Sequence, residues 1–274
     1  MTAELTGPAL VVVRVGFFGG FLAVLAFLLL WESGRPLAAP PPNRWRHRAR
    51  NAGLFLATLC VILPLFSGVL PDTPSILPGM PQGLLAPLDL SVCWLFVAGI
   101  VVGDLVEYLF HRLCHRWRWL WLIHAVHHSD PDVDVTTGLR FHPLEVAMQV
   151  SLKLGAFALL GIPLWVEPAR AVLFNPLDFV QHANVSYPAW VERWLPWLIM
   201  TPALHRLHHS PLMPECNSNF GPGFSIWDRL FGTFRQPQGE RPLRYGLSKL
   251  TADSWQTVSG MLLTPLTARR MGTL

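Results

Sequence analysis

Ten of the eleven histidines of this chain (His111, His115, His124, His127, His128, His142, His182, His205, His208 and His209) fall between residues 111 and 209. Three boxes hold most of them: HRLCH and HAVHH, both within the stretch DLVEYLFHRLCHRWRWLWLIHAVHH at residues 104–128, and HRLHH at residues 205–209. Whatever the chain folds into must bring these boxes together, because imidazole is a ligand for iron, zinc, copper and nickel and the spacing suits ligation from helix faces. His111 and His115 are four residues apart and share one face of a helix. By the same rule His124 is expected to pair with His127 and His128, and HRLHH repeats that unit. Eight histidines in three boxes exceed the roughly four ligands that one zinc accepts. Two metal ions are therefore the economical reading.

Each box also has a blander explanation. A lone HxxxH on a helix is more often a surface or core pair than a ligand pair, but two further HxxHH boxes in a chain with one histidine elsewhere, His47, outweigh it. The zincin motif HExxH is absent, since Ala125 stands where its glutamate would be, which argues against a metalloprotease. Haem ligation needs one or two axial ligands and leaves most of these histidines unexplained.

The chain is 51% hydrophobic and only 14% charged, with a mean hydropathy of +0.37, against about 25% charged residues in an ordinary soluble domain. These values predict an all-α integral membrane bundle of about four spans, with the histidines in a cytosolic metal-binding cap. Four cysteines (Cys60, Cys93, Cys114 and Cys216) form no CxxC pair and read as reduced structural thiols. The net charge of +4 is explained by arginines near membrane boundaries, so no nucleic-acid partner is invoked.

Three segments are expected: an N-terminal transmembrane region over 1–90, a histidine-bearing region over 91–236, and a cytoplasmic tail over 237–274. Residues 15–31 are an uncharged apolar run, preceded by Arg14, long enough to cross a hydrocarbon core about 30 Å thick. Glu4 and the exit WESGR fit a retained span better than a cleaved signal. GRPLAAPPPNRWRHRAR at residues 34–50 reads as a proline and arginine loop on the cytoplasmic side, with His47 at the surface. A second span is expected over 52–70, then a proline-rich connection to residue 87. A third helix over 88–115 carries Asp104, Tyr108, His111 and His115 on one stripe. A charge at membrane depth is normally turned inward with a partner. Asp104, and Glu107 beside it, are accordingly expected to accept the second N–H of a ligand histidine.

This helix runs toward the cytoplasm and delivers its histidines there. Arg116, Trp117, Arg118, Trp119 and Trp121 read as an interfacial belt, a role preferred over docking an electron-transfer partner. His142 and Glu145 open the next helix. Residues 145–167 are a fourth span or half of a shallow hairpin whose other half, 169–182, places Asp178 one turn before His182. Residues 190–202 read as an interfacial helix, and NSNFGPGFSIWDRLFGTFRQP, which holds Asn219, as a cap over the site. The arginines after residue 236 (Arg241, Arg244, Arg269 and Arg270) fit a cytoplasmic tail.

The boxes, together with RFHPLE, QHANV, HRLHHS, NSNFG and WDRLFGTF, resemble the fatty acid hydroxylase superfamily, often called the sterol desaturase family. The similarity runs over roughly residues 95–234. It implies a membrane-bound di-iron enzyme that uses O2 and electrons to hydroxylate or desaturate a lipid. It also implies metal ligands at His111, His115, His124, His127, His128, His182, His205, His208 and His209. His142 matches a family motif as a ligand or a residue behind one, and Asp104, Glu107, Tyr108, Glu145, Asp178 and Asn219 are candidates for the latter role. Zinc can replace iron in purified protein, because imidazole accepts both. No cytochrome b5 segment accompanies the resemblance, so a separate electron donor of the ferredoxin, cytochrome b5 or reductase type is expected. Of the two outcomes, hydroxylation is preferred and desaturation is the alternative. A non-catalytic membrane metal-binding protein is the alternative of a different class; a transporter would carry ionisable groups along several spans, whereas here the ligands lie near one face and the first two spans are bare apart from Arg14.

Overall fold

The computed structural model describes the backbone of residues 7–67, 83–237 and 244–270, and side chains within 19–67, 83–237 and 244–269. The proline-rich connection expected before residue 87 lies largely outside these residues, as do the side chains of Arg14, Arg241 and Arg270. Among the described residues the structure is helical, with no strands beyond two isolated bridges.

Among the described residues three helices are long and apolar enough to cross a membrane: α2 (Arg44–Phe66), α3 (Val92–Arg116) and α5 (Pro143–Leu160). Helix α1 (Gly7–Gly34) precedes them, and its described side chains, over Gly19–Gly34, are apolar for most of that length. The remaining helices are α4 (Arg118–His128), α6 (Val166–His182), α7 (Ala189–Trp194), α8 (Pro202–His208), α9 (Met213–Cys216), α10 (Ile226–Leu230) and α11 (Val258–Arg270). Residues of α2 and α3 such as Leu56, Leu63, Trp94 and Val97 are exposed. An apolar exposed belt of this kind belongs in lipid.

Helix α3 is the axis of the fold, packing against α4, α5 and α6. Its close approach to α6 depends on two small residues. A Cβ on Gly99 would lie 2.4 Å from Val166 Cγ1, and one on Gly103 would lie 2.7 Å from Arg170 Cδ. Small residues one turn apart allow such backbone approach inside a membrane. The contact carries a closed ion cluster: Lys153 Nζ reaches Glu107 at 2.6 Å and Glu167 at 2.5 Å, while Arg170 reaches Glu107 at 2.8 Å and Glu167 at 3.0 Å. Two cations and two anions, all buried, thus tie α3, α5 and α6 together.

The arginines of the stretch expected as a loop, Arg44 to Arg50, form the first two turns of α2. His47, expected at the surface, is drawn inward: its Nε2 lies 2.8 Å from Asp130 Oδ1, with its side chain 11% exposed. The helical repeat is the reason, since His47, Arg48 and Asn51 fall on the inner face of α2. Arg48 donates to Glu32 at 2.7 Å and to Asp134 at 2.8 Å. Arg140, fully buried, donates to Val126 O, Asn51, Ser129 and Gln256. Glu32 in turn accepts the backbone N–H groups of Val135 and Asn184. This network fixes the end of α4 and the turn at Val135–Leu139 against α1 and α2. Helix α11, in the segment expected as a tail, packs against both α4 and α2.

Candidate metal centre

The nine histidines singled out above converge in two groups. His111, His115, His124, His128 and His208 form one, and His127, His182, His205 and His209 the other, with the candidate ligand atoms of each group within 4.8 Å of one another. The boxes divide between them according to helix geometry. Positions four apart differ by about 40° around a helix and positions three apart by about 60° in the other sense. His124 and His128 therefore share the first group while His127 turns to the second. His205 and His209 share the second while His208 turns to the first. The pairing expected within each HxxHH box is thus split, and each box serves both groups. His209 packs against His128 with ring centroids 4.7 Å apart, so the groups abut.

The tautomers are set from outside. His111 Nδ1 lies 2.9 Å from Phe220 O, His208 Nδ1 2.8 Å from Ser218 O, and His182 Nδ1 2.7 Å from Asp178 O. A carbonyl accepts only, so each Nδ1 carries the hydrogen and each Nε2 presents a lone pair. His124 Nδ1 meets Glu145 Oε1 at 2.6 Å. The Nε2 atoms of His111, His115, His124, His128 and His208 are buried without a hydrogen-bond partner. In the second group His182 Nε2 lies 3.2, 3.1 and 2.9 Å from the Nε2 atoms of His127, His209 and His205. His209 Nε2 lies 3.2 Å from His205 Nε2.

Hydrogen bonds among these four nitrogens cannot satisfy all of them, because His182 Nε2 has no hydrogen to give and faces three neighbours. The spacing instead fits a shared cation: ligands at about 2.0–2.1 Å from one ion stand about 2.9–3.4 Å apart for right-angled to tetrahedral geometry. Burial, and then the neighbouring histidines, hold His127, His128, His205, His208 and His209 well below the usual imidazole range. They are neutral, as ligands must be.

The other candidates hold the frame. Glu145 is the carboxylate that meets a clustered histidine, and it does so on His124. Asp178 Oδ1 lies 3.6 Å from His182 Nδ1, farther than its own backbone carbonyl. Asp104 and Glu107 do not have histidine partners among the described residues. Asp104 accepts from Trp227 Nε1 at 2.7 Å and Phe224 N at 3.1 Å, whereas Glu107 belongs to the ion cluster. Glu107 sits one turn before His111 but is turned away from it by Lys153 and Arg170, and Asp104 sits two turns before it, too far along the helix axis to reach its ring. Tyr108 bonds Thr233 at 2.9 Å. His142 caps α5 by accepting from Leu144 N, and its Nε2 approaches Leu262 O. Asn219, at φ 56, donates to Leu204 O and Arg235 O, and so shapes the loop that brings Ser218 O and Phe220 O to the histidines.

Two participants escaped the sequence reading. Cys216 Sγ lies 3.8 Å from both His115 Nδ1 and His128 Nδ1, and burial pushes its thiol up to about 12. Its place directly before NSNFG was the available signal. The pairing of His47 with Asp130, next to HAVHH in the chain, carried no such signal, because it joins residues 83 positions apart.

The fatty acid hydroxylase family model matches residues 96–233, and the chain belongs to that family. Ornithine lipid hydroxylase OlsE of Rhizobium tropici is 35% identical over 145 residues, covering 52% of this chain and 42% of that protein. Alkylglycerol monooxygenase of Xenopus tropicalis is 33% identical over 165 residues, 57% of this chain and 32% of the relative. Cholesterol 25-hydroxylase-like protein 1, member 2, of Danio rerio is 27% identical over 180 residues, 60% and 59% of the two chains. The chain thus spans less than two thirds of the length of these relatives. No solved structure matches it. Family, apolar helices and histidine clusters together define a fatty acid hydroxylase family member with helices fit to cross a membrane and sites that could hold metal.

Proposed function

We propose that this protein is a membrane-embedded di-iron monooxygenase that hydroxylates an unactivated C–H bond of a lipid, with electrons from a separate donor and the metal site on the cytoplasmic side. The carrying observation is the convergence of nine imidazoles into groups of five and four whose inward nitrogens have no adequate partner among the described residues. His111, His115, His124, His128 and His208 would hold one iron and His127, His182, His205 and His209 the other. When bound, the irons supply the redox chemistry by which O2, two electrons and two protons convert R–H to R–OH and water.

The chain's own contribution is preorganisation. Carbonyls of Phe220, Ser218 and Asp178 keep three rings in the tautomer that offers Nε2 inward. Glu145 makes His124 a stronger donor, as a carboxylate behind a ligand imidazole does. Phe141, stacked 4.4 Å from His127, and Phe220, against His111, His115 and His208, exclude water from the rings.

The test is metal analysis of protein purified anaerobically in detergent, beside a His124→Ala/His208→Ala variant. Iron at about two ions per chain, lost in the variant together with an O2-dependent lipid product, is the expected result. Equal metal in both proteins would overturn the site assignment.

A further inference from the structure

Where α3 leaves its apolar span, a cavity of about 250 Å³ opens between Arg116 and Arg118. Its lining also includes His115, Trp121, Met213 and Asn217. The cavity therefore reaches from the surface to a histidine of the five-membered group. Among the described residues, neither Arg116 nor Arg118 has an ion pair or a side-chain hydrogen bond. A second cavity, of about 220 Å³ beside His47, makes the contrast. There Arg50 is held by Asp253, Arg140 by its buried partners, and His47 by Asp130. Of the two, the cavity over His115 is the one that joins uncommitted cations to the histidine centre.

Its depth in the membrane is also legible. Trp94, Val97, Val101 and Leu109 form the exposed apolar side of α3. Trp117 and Trp119, each 57% exposed, follow where that side ends. Indoles and arginines in this arrangement mark the head-group layer, so Arg116 and Arg118 stand where the polar ends of lipids lie. Trp121 and Met213 supply an indole and a thioether wall suited to an alkyl chain. A protein donor would need about 800 Å² of matching surface, far more than this recess offers, whereas one carboxylate or phosphate matches two guanidinium groups.

We infer that this cavity is the substrate's docking site, and that the substrate is a long-chain amphiphile whose anionic head group is held by Arg116 and Arg118 at the mouth over His115. The inference rests on the oxygenase reading of the histidine centre, but its test does not require turnover. Metal-loaded full-length protein in neutral detergent is titrated with hexadecanoate, hexadecyl phosphate and hexadecanol, and bound ligand is counted at equilibrium. Wild type should bind one or both anions about tenfold more tightly than the alcohol, the scale of a charge-assisted hydrogen bond. The stronger anion identifies carboxylate or phosphate as the head group. Arg116→Gln/Arg118→Gln should abolish the preference with metal content unchanged, and Met213→Trp, which fills the cavity, should weaken binding of all three. No anion preference in wild type, or a preference that survives the double substitution, overturns the proposal. So does full binding by Met213→Trp, which would make the arginines a site for bulk lipid only. If the double variant keeps its lipid binding but loses O2 consumption with an acidic electron donor, the arginines serve the donor and the proposal fails. Absence of metal from wild type would instead count against the oxygenase reading.

Discussion

Two buried polar constellations share helix α3, and they are satisfied in opposite ways. Around Glu107, Lys153, Glu167 and Arg170, every charge meets an opposite charge within 3.0 Å; the charges balance within the polypeptide. One to two turns further along, His111 and His115 join seven more imidazoles of one kind. The outer nitrogens of several find carbonyls or Glu145, while the inner ones find only each other or nothing. Because an unpaired buried polar group is costly, a chain that spends residues closing one cluster and leaves the other open is built to receive something there. The ion cluster holds α3, α5 and α6 in register so that the histidines meet.

Acid should separate the two regions most sharply. His127, His128, His205, His208 and His209 stay neutral in the folded chain, whereas in the unfolded chain they take protons near pH 6.5. Below that value the unfolded state binds more protons, so the metal-free protein loses stability as pH falls, by up to about 1.4 kcal/mol per pH unit for each histidine. The thermal midpoint of metal-free protein in detergent should drop between about pH 6.5 and 5, and bound metal should suppress the drop. A flat profile would contradict the burial of these rings.

Lys153→Met leaves Glu107 and Glu167 to share Arg170, and should cost about 3–5 kcal/mol in unfolding measurements. Metal per folded chain should remain unchanged, and its loss would show that the two regions are coupled more tightly than their contacts indicate. A finer distinction comes from two carboxylates. Glu145→Gln should weaken metal affinity about 10–100-fold, the usual effect of altering a ligand's partner. Asp104→Asn, whose partners are Trp227 and Phe224, should leave metal affinity unchanged while lowering the thermal midpoint slightly. Metal loss in Asp104→Asn would restore the role the stripe on α3 first implied.

Much of this was legible in the linear chain. Apolar runs marked α2, α3 and α5, and the histidine spacing marked the centre, because both signals depend on the period of a helix and need no knowledge of neighbours. The loop containing NSNFG was also recognisable as a cap. The partners were not. Asp104 and Asp178 lie one helical turn from Tyr108 and His182, yet a stripe on one helix says nothing about which neighbouring helix covers it.

The sequence by itself determined the kind of molecule: a helical membrane protein with histidines enough for two metal ions, since composition and periodicity are local properties. Tertiary structure alone decided how those histidines divide into five and four, that Glu145 and not Asp104 stands behind one of them, and that His47 turns inward to Asp130. These depend on how α3, α4, α6 and α8 cross and how α2 docks beside them, which is settled by packing between residues far apart in the chain.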